Sequence, residues 1–364
     1  MKEKNKIGLG SFGFIKGIAV LIIIYGHIIR SFDLSKLTWF QPSFIILDVF
    51  KTPLIPLFFI VSGYGFKNKS VVKIWKKTIK TLLLPYGFVM IGFCLFQPLS
   101  TYLQNHNLQK ALTDGIRWGL AFLLGIPEPG KIIFGYKLAN CSIVWFLLAL
   151  FWAHNILNVI LKCKKNMIQV FTVVGCAIIG YILCVLEVTY FCIPQGLIAT
   201  SYLYFGYRMK EGKLLEKDLP HKWMYGVCGI IALIYSRIGY FDLCYGDFTF
   251  FPMDYVGVSF LAFLLLKLGI RLGRLKWKMI GLINEIGVYS YWIICIHSLE
   301  QKCIPWNKFA ALFAESQNLG FILALGIKAM IIASGCMLLR KVGQWKYERK
   351  KRKIVQKQLY SKVD

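Results

Sequence analysis

Apolar runs long enough to cross a bilayer recur along almost the whole chain, and no other feature constrains its fold as strongly. A hydrocarbon core about 30 Å thick needs about 20 mostly apolar residues per helix. In that medium each backbone N–H and C=O must find its partner within the protein, and helices do this inside a single segment. The spans predicted on this basis are Phe14–Arg30, Ser43–Phe66, Thr81–Leu99, Ser142–Leu161, Met167–Glu187, Ile193–Tyr207, Trp223–Tyr240, Phe251–Gly269, Ile280–Leu299 and Leu319–Leu339. The sixth gives the weakest signal, because it is short and holds Gln195.

The connections between the runs alternate in charge. Lys67–Lys80, Lys162–Lys165, Arg208–Lys222, Lys267–Lys278 and the tail from Arg340 are rich in Lys and Arg, as is the start with Lys2, Lys4 and Lys6. The intervening connections carry far fewer basic residues. Basic residues in short loops remain on the cytoplasmic side. The expected architecture is therefore an all-α, polytopic membrane bundle of about ten transmembrane helices with both termini cytoplasmic. It divides into a membrane-embedded domain, residues 1–345, and a basic cytoplasmic tail, residues 346–364. The leading residues Met1–Phe12 run straight into the first span, so no signal peptide is expected.

Composition supports this and removes one class of function. The mean hydropathy is +0.58, with 57% apolar and only 17% charged residues, outside the usual range of soluble domains. A formal charge of +27 would suit nucleic acid if it formed one stripe. Here it is divided into small clusters at regular intervals, so it reads as topology, and the expected partners are membrane lipids with no nucleic acid. The expected location is a plasma membrane, multi-pass, of bacterial style. Oligomeric state leaves no mark in the sequence.

Two regions depart from the plain pattern. Ser100–Asn140 is a long outer segment containing Gly115–Leu124, an apolar piece too short to span and expected to be re-entrant or interfacial. Of the eleven cysteines, Cys94, Cys176, Cys184, Cys228, Cys295 and Cys336 fall inside spans as small hydrophobes, whereas Cys141, Cys192, Cys244 and Cys303 lie near the outer face, where a bridge is open to them.

Ionisable groups inside spans are costly and point to function. The first span holds Lys16 and His27. Eleven residues advance a helix by about 1100°, three turns plus about 20°, so the two share one face about 16 Å apart along the axis. Lys16 then lies near the cytoplasmic surface and His27 in the outer half. Lys16 snorkelling to the headgroups and His27 bonding a neighbouring helix explain the same pattern without function. A neutral histidine is nonetheless suited to act as general base on a hydroxyl.

Other polar groups carry the same two readings. Ser62 and Gly63 end the second span, where small residues permit close helix packing and where Ser62 and nearby N–H groups are also candidate oxyanion donors. Lys73, Lys76, Lys77 and Lys80 recur at helical spacing and form a basic face at the cytosolic mouth that suits a phosphate-bearing cofactor. Trp145 opens the fourth span, a place typical of the aromatic belt. His154, mid-helix with Asn155 and Asn158, is read as making an interhelical hydrogen bond. The ninth span carries Asn284, Glu285, Gly287, Tyr289, Ser290 and His297; a buried Glu285 needs a partner, for which Lys16 is a candidate. Asp254 and Glu187, at outer helix ends, are expected to be exposed. The five histidines show no ligand spacing, so no metal is expected.

These segments resemble, in order, the motifs of the membrane acyltransferase-3 family. Lys16 and His27, with ten residues between, are similar to that family's Arg-x10-His first helix, with lysine in place of arginine. Pro56-Leu-Phe-Phe-Ile-Val-Ser-Gly-Tyr64 resembles its second helix, and Lys76–Pro85 its basic stretch leading to a proline. Trp145-Phe146-Leu147 resembles its Leu-Trp-Phe-Leu motif, and Ile286–His297 its Gly-x-x-Ser-x-x-x-Tyr-x-x-His helix. A histidine common before the Pro-Leu-Phe-Phe run in the sugar-acetylating branch is Leu54 here.

The resemblance implies an enzyme that moves an acyl group, usually acetyl, from cytosolic acyl-CoA to a hydroxyl of a surface or lipid-linked glycan. It assigns His27 as general base or transient acyl carrier, Lys16 beside the donor, and Lys76, Lys77 and Lys80 to the CoA phosphates. Ser62, Gly63, Trp145, Glu285 and His297 are expected to support the site. The rival readings are a transporter or flippase for a glycan or lipid intermediate, using the same polar stripe, and a membrane subunit that presents substrate to a partner.

Overall fold

The computed structural model describes residues 9–217 and 241–360 and, between them, Trp223, Gly226, Val227 and Ile230. Its helices are α1 (Gly13–Ile29), α2 (Gln41–Tyr64), α3 (Val71–Thr78), α4 (Leu84–Asn105), α5 (Leu108–Leu123), α6 (Trp145–Ile160), α7 (Asn166–Val185), α8 (Ile193–Glu211), α9 (Met253–Leu272), α10 (Lys278–Cys303), α11 (Trp306–Ala311) and α12 (Gln317–Tyr360). The strands described are two short antiparallel hairpins, β1 (Ile132–Ile133) with β2 (Tyr136–Lys137) and β3 (Phe241–Asp242) with β4 (Asp247–Phe248). The protein is an all-α polytopic bundle.

Among the described residues, seven helical segments are long and apolar enough to cross a membrane: Gly10–Ile29, Val71–Asn105, Ser142–Ile160, Asn166–Val185, Met253–Leu272, Lys278–Cys303 and Gln317–Val342. The expected second and sixth spans coincide with α2, of which Thr52–Tyr64 is a shorter apolar stretch among the described residues, and α8, which is too weakly apolar for that measure. The expected seventh, Trp223–Tyr240, lies largely outside the described residues.

The weak hydropathy of α8 has a physical cause. This helix packs against α2, α6 and α7, so nearly all its side chains meet protein. Two of its polar side chains donate within the protein: Thr200 Oγ1 to Gly196 O on the same helix at 2.8 Å, and Gln195 Nε2 to Cys244 O in the β3–β4 hairpin at 2.9 Å. A helix enclosed by protein need not be apolar all round.

Close backbone approach joins α2 to α8 and α1 to α10. A Cβ on Gly63 would lie 2.0 Å from Leu203 O, and one on Gly287 would lie 1.8 Å from Gly13 O. Only glycine permits these crossings, the small-residue packing expected where lipid removes the hydrophobic drive between helices.

Proline accounts for a further contact. Pro85 has no N–H for the carbonyl of Thr81, four residues earlier, and a π-helical turn, Ile79–Leu83, lies between α3 and α4. Tyr291 Oη on α10 donates to Thr81 O at 2.6 Å, satisfying the carbonyl and tying α10 to this turn.

The long outer segment is resolved by α5. It folds back against α4, with Trp118 stacked on Phe93 at 4.9 Å and Thr101 Oγ1 donating to Asp114 at 2.9 Å. Helix α12 continues as backbone to Tyr360, well into the basic tail. Cys141, Cys192, Cys244 and Cys303 are free thiols, so the bridge left open is not formed among them. Asp254 corrects another expectation: it is fully buried, because in the first turn of α9 its carboxylate folds back onto the preceding loop and accepts from Phe250 N–H at 2.7 Å.

Candidate active site

The site grows from the contact of α1 with α10. His27 lies two residues before the end of α1, and His297 six before the end of α10. The glycine crossing at Gly13 and Gly287 sets the two helices close enough for these rings to meet: His297 Nε2 stands 3.3 Å from His27 Nδ1. His297 is fully buried.

A buried chain of polar groups extends from this contact. His297 Nδ1 is 2.5 Å from Glu300 Oε1, one turn along α10. Lys328 Nζ on α12 donates to both oxygens of Glu300 at 2.8 Å and to Gln301 Oε1 at 2.6 Å. Trp306 Nε1 donates to Glu300 Oε2 at 3.0 Å, and the Lys328 ammonium lies 4.5 Å from the Trp306 ring centre. Glu300 and Lys328 are 4% and 0% exposed, so each charge has the other as its main compensation.

These partners assign the protons. Glu300, paired with Lys328, is a carboxylate and accepts only, so His297 carries its proton on Nδ1 and leaves Nε2 as an acceptor. His27 Nδ1 also faces Ile23 O at 2.8 Å, and a carbonyl likewise only accepts. His27 therefore holds its proton on Nδ1, shared between Ile23 O and His297 Nε2. Its Nε2 carries a lone pair and has no hydrogen-bond partner among the described residues. A proton taken up at His27 Nε2 leaves a cation that His297 and Glu300 stabilise through Nδ1, the arrangement a general base requires.

A second polar locus lies deeper, towards the end of the bundle that carries the Lys67–Lys80 connection. A cavity of about 270 Å³ is lined by Lys16, Ser62, Lys77, His154, Ser290 and Tyr291, among others. Ser62 Oγ is 2.7 Å from His154 Nε2, the interhelical bond expected of His154. Helix α3 is pinned beside this cavity by α6: Asn155 Nδ2 donates to Thr78 Oγ1 at 3.1 Å, and Trp75 packs edge-on against Phe151 and Trp152. That anchoring presents Lys77 to the cavity, while Lys76 and Lys80 stay exposed nearby.

Several sequence expectations are thereby sorted. His27 and His297 meet, and Lys16, Ser62 and Lys77 share the other locus. Gly63 is a packing residue. It lies inside α2, and the following N–H groups of Gly65 and Phe66 already donate to Val61 O and Gly63 O, so none is free for an oxyanion. Ser62 lines the cavity with Lys16 and is bonded to His154. Glu285 does not pair with Lys16. It points from the other side of α10 into an apolar groove of about 750 Å³ that also holds Arg340, because positions 285 and 290 face opposite ways on one helix. Trp145 is 5% exposed and packs inside the bundle instead of facing the lipid interface.

Glu300 and Lys328 are the functional candidates that sequence reading missed. Both left a signal: Glu300 is one turn from His297, and Lys328 is an isolated cation within the apolar run Phe321–Met337. No group of three or more metal-binding side chains occurs among the described residues.

No curated protein and no solved structure matches this chain. The acyltransferase-3 family does, through its acyltransferase domain, over residues 9–340. That stretch contains both histidines, the Glu300–Lys328 pair and the Lys16 cavity, and it sets aside the transporter reading. The chain belongs to the acyltransferase-3 family and is a multi-pass membrane acyltransferase.

Proposed function

We propose that this enzyme moves an acyl group, acetyl by preference, from cytosolic acyl-CoA to a hydroxyl of a cell-surface or lipid-linked glycan at the outer face of a plasma membrane. The observation that carries the proposal is the free Nε2 lone pair of His27, backed by His297, Glu300 and Lys328. The basic connections put the Lys16 cavity at the cytosolic side and His27 in the outer half. Lys76, Lys77 and Lys80 then meet the CoA phosphates, and the pantetheine arm follows the α1 face over the roughly 16 Å from Lys16 to His27. Lys16 offsets negative charge along that path.

At His27 the acceptor O–H gives its proton to Nε2 as its oxygen attacks the thioester carbonyl. The C–S bond breaks, the thiolate takes the proton from His27, and an ester and CoA thiol leave. His27, His297 and Glu300 hold and return the proton without net change.

Reconstituted protein incubated with radiolabelled acetyl-CoA and a panel of surface glycans tests this, beside His27→Ala. Label on a glycan, accompanied by CoA release and lost in the variant, is expected. Wild-type protein that releases no CoA and labels nothing across acyl chain lengths would sink the proposal; transfer undiminished in His27→Ala would remove His27 from its centre.

A further inference from the structure

The ends of α1 and α10 that hold the two histidines also carry two cations. Arg30 follows His27 by three residues at the end of α1, and Lys302 follows His297 by five in the last turn of α10. Both are exposed. They are near enough to act electrostatically on His27, and Arg30 acts on Lys302. Gln301, beside Lys302, reaches the carbonyl of His27 at 3.5 Å, which places this turn of α10 directly over the end of α1.

Neither cation forms an ion pair among the described residues. The acidic groups around them are otherwise engaged. Glu300 is held by Lys328. Asp33 accepts from Ser35 through its backbone N–H and hydroxyl, at 3.0 and 2.7 Å. Asp242 is coupled electrostatically to Arg30 but makes no ion pair with it, and its Oδ1 accepts from the N–H groups of Cys244 and Tyr245 at 2.8 and 3.2 Å. The position is also unusual for topology, since positive residues concentrate on the cytoplasmic side and the outer connections here are poor in them. A cation at a helix C-terminus is favourable by itself. Two beside each other repel, and an anion between them relieves that repulsion.

We infer that Arg30 and Lys302 form an anion-binding mouth above His27, and that the acceptor carries a carboxylate or phosphate close to the hydroxyl that is acylated. This rests on the proposed reaction for the word acceptor; the mouth itself does not depend on it. A phosphate held by Arg30 and Lys302 would orient a neighbouring hydroxyl towards His27 Nε2. Neutral sugars would lack that anchor.

The test uses full-length protein in phosphatidylcholine vesicles with acetyl-CoA on the Lys76–Lys80 side. Methyl glucuronoside and methyl glucoside, which differ in one carboxylate, serve as acceptor probes. Glucuronoside is expected to be preferred by about tenfold in kcat/KM, chiefly through KM, the size of one charge-assisted contact. Arg30→Gln and Lys302→Gln should each reduce the ratio towards one, and Arg30→Lys and Lys302→Arg should retain it. Equal use of the two sugars, or a preference untouched by Arg30→Gln and Lys302→Gln, overturns the inference. So does activation by added phosphatidylglycerol with no discrimination between the sugars, which assigns the cations to lipid phosphate.

A second reading needs no acyl transfer. Cys303 adjoins Lys302, and the mixed disulfide its thiol forms with a sulfonate-bearing or an ammonium-bearing methanethiosulfonate, methanesulfinate leaving, can be followed by peptide mass spectrometry. Relative to a free thiol, the anionic reagent should react about tenfold faster, and the bias should fall in Arg30→Gln and Lys302→Gln. No bias overturns the mouth; a bias without transfer to any acceptor leaves the mouth standing and counts against the reaction.

Discussion

Breaking the Glu300–Lys328 pair should separate what holds the bundle together from what makes His27 a base. Lys328→Met leaves a carboxylate that is 4% exposed with no cation beside it, and Glu300→Gln leaves an ammonium that is fully buried with no anion. Removing one member of a buried pair costs about 3–5 kcal/mol, since the remaining charge keeps its desolvation penalty. Removing both charges discards that penalty together with the attraction. The double variant should therefore lose only about 1–3 kcal/mol, chiefly from the hydrogen bond left unmade at Gln301, since Trp306 Nε1 keeps the carbonyl of residue 300. Activity should follow a different order. The double variant folds, yet lacks the carboxylate that fixes the proton of His297 on Nδ1, so acyl transfer should fall by about 10²–10⁴-fold, the worth of positioned acid–base catalysis. Stability would be read by denaturant titration in detergent and activity by label transfer on the same preparations. A double variant as unstable as the two singles summed would refute the coupling. One with wild-type turnover would refute the relay.

Three further substitutions test the packing that positions the site. Gly287→Ala sets a Cβ 1.8 Å from Gly13 O and should cost about 1–3 kcal/mol or more through overpacking, with activity falling because α1 and α10 separate; unchanged heat stability would contradict the crossing. Tyr291→Phe leaves Thr81 O without the donor that Pro85 cannot supply and should cost about 1–3 kcal/mol, measured in the same titration, with no shift meaning that the carbonyl finds water instead. Ser62→Ala removes the partner of His154 Nε2 and should destabilise by about 1–3 kcal/mol while changing the KM for acyl-CoA more than kcat; a lost kcat at unchanged KM would place Ser62 in the chemistry.

The apolar runs and the alternating basic loops by themselves determined the class of fold, because a bilayer accepts so few backbone solutions that patterning nearly suffices. The histidine of α1 was legible for the same reason: a polar group in an apolar run stands out whatever surrounds it. The sixth span was faint because α8 is wrapped in protein, and hydropathy records lipid contact rather than burial. What only the tertiary structure decided is which polar groups meet. Helical periodicity placed Lys16 and His27 on one face of α1, but not which residues on other helices stand opposite. The glycine crossing of α1 on α10 brings His297 to His27, turns Glu285 away from Lys16, and lets α12 deliver Lys328 to Glu300 from 28 residues further along the chain. A proton's position on His27 depends on all of these at once. It follows from three-dimensional hydrogen bonding, for which spacing along one helix carries no information.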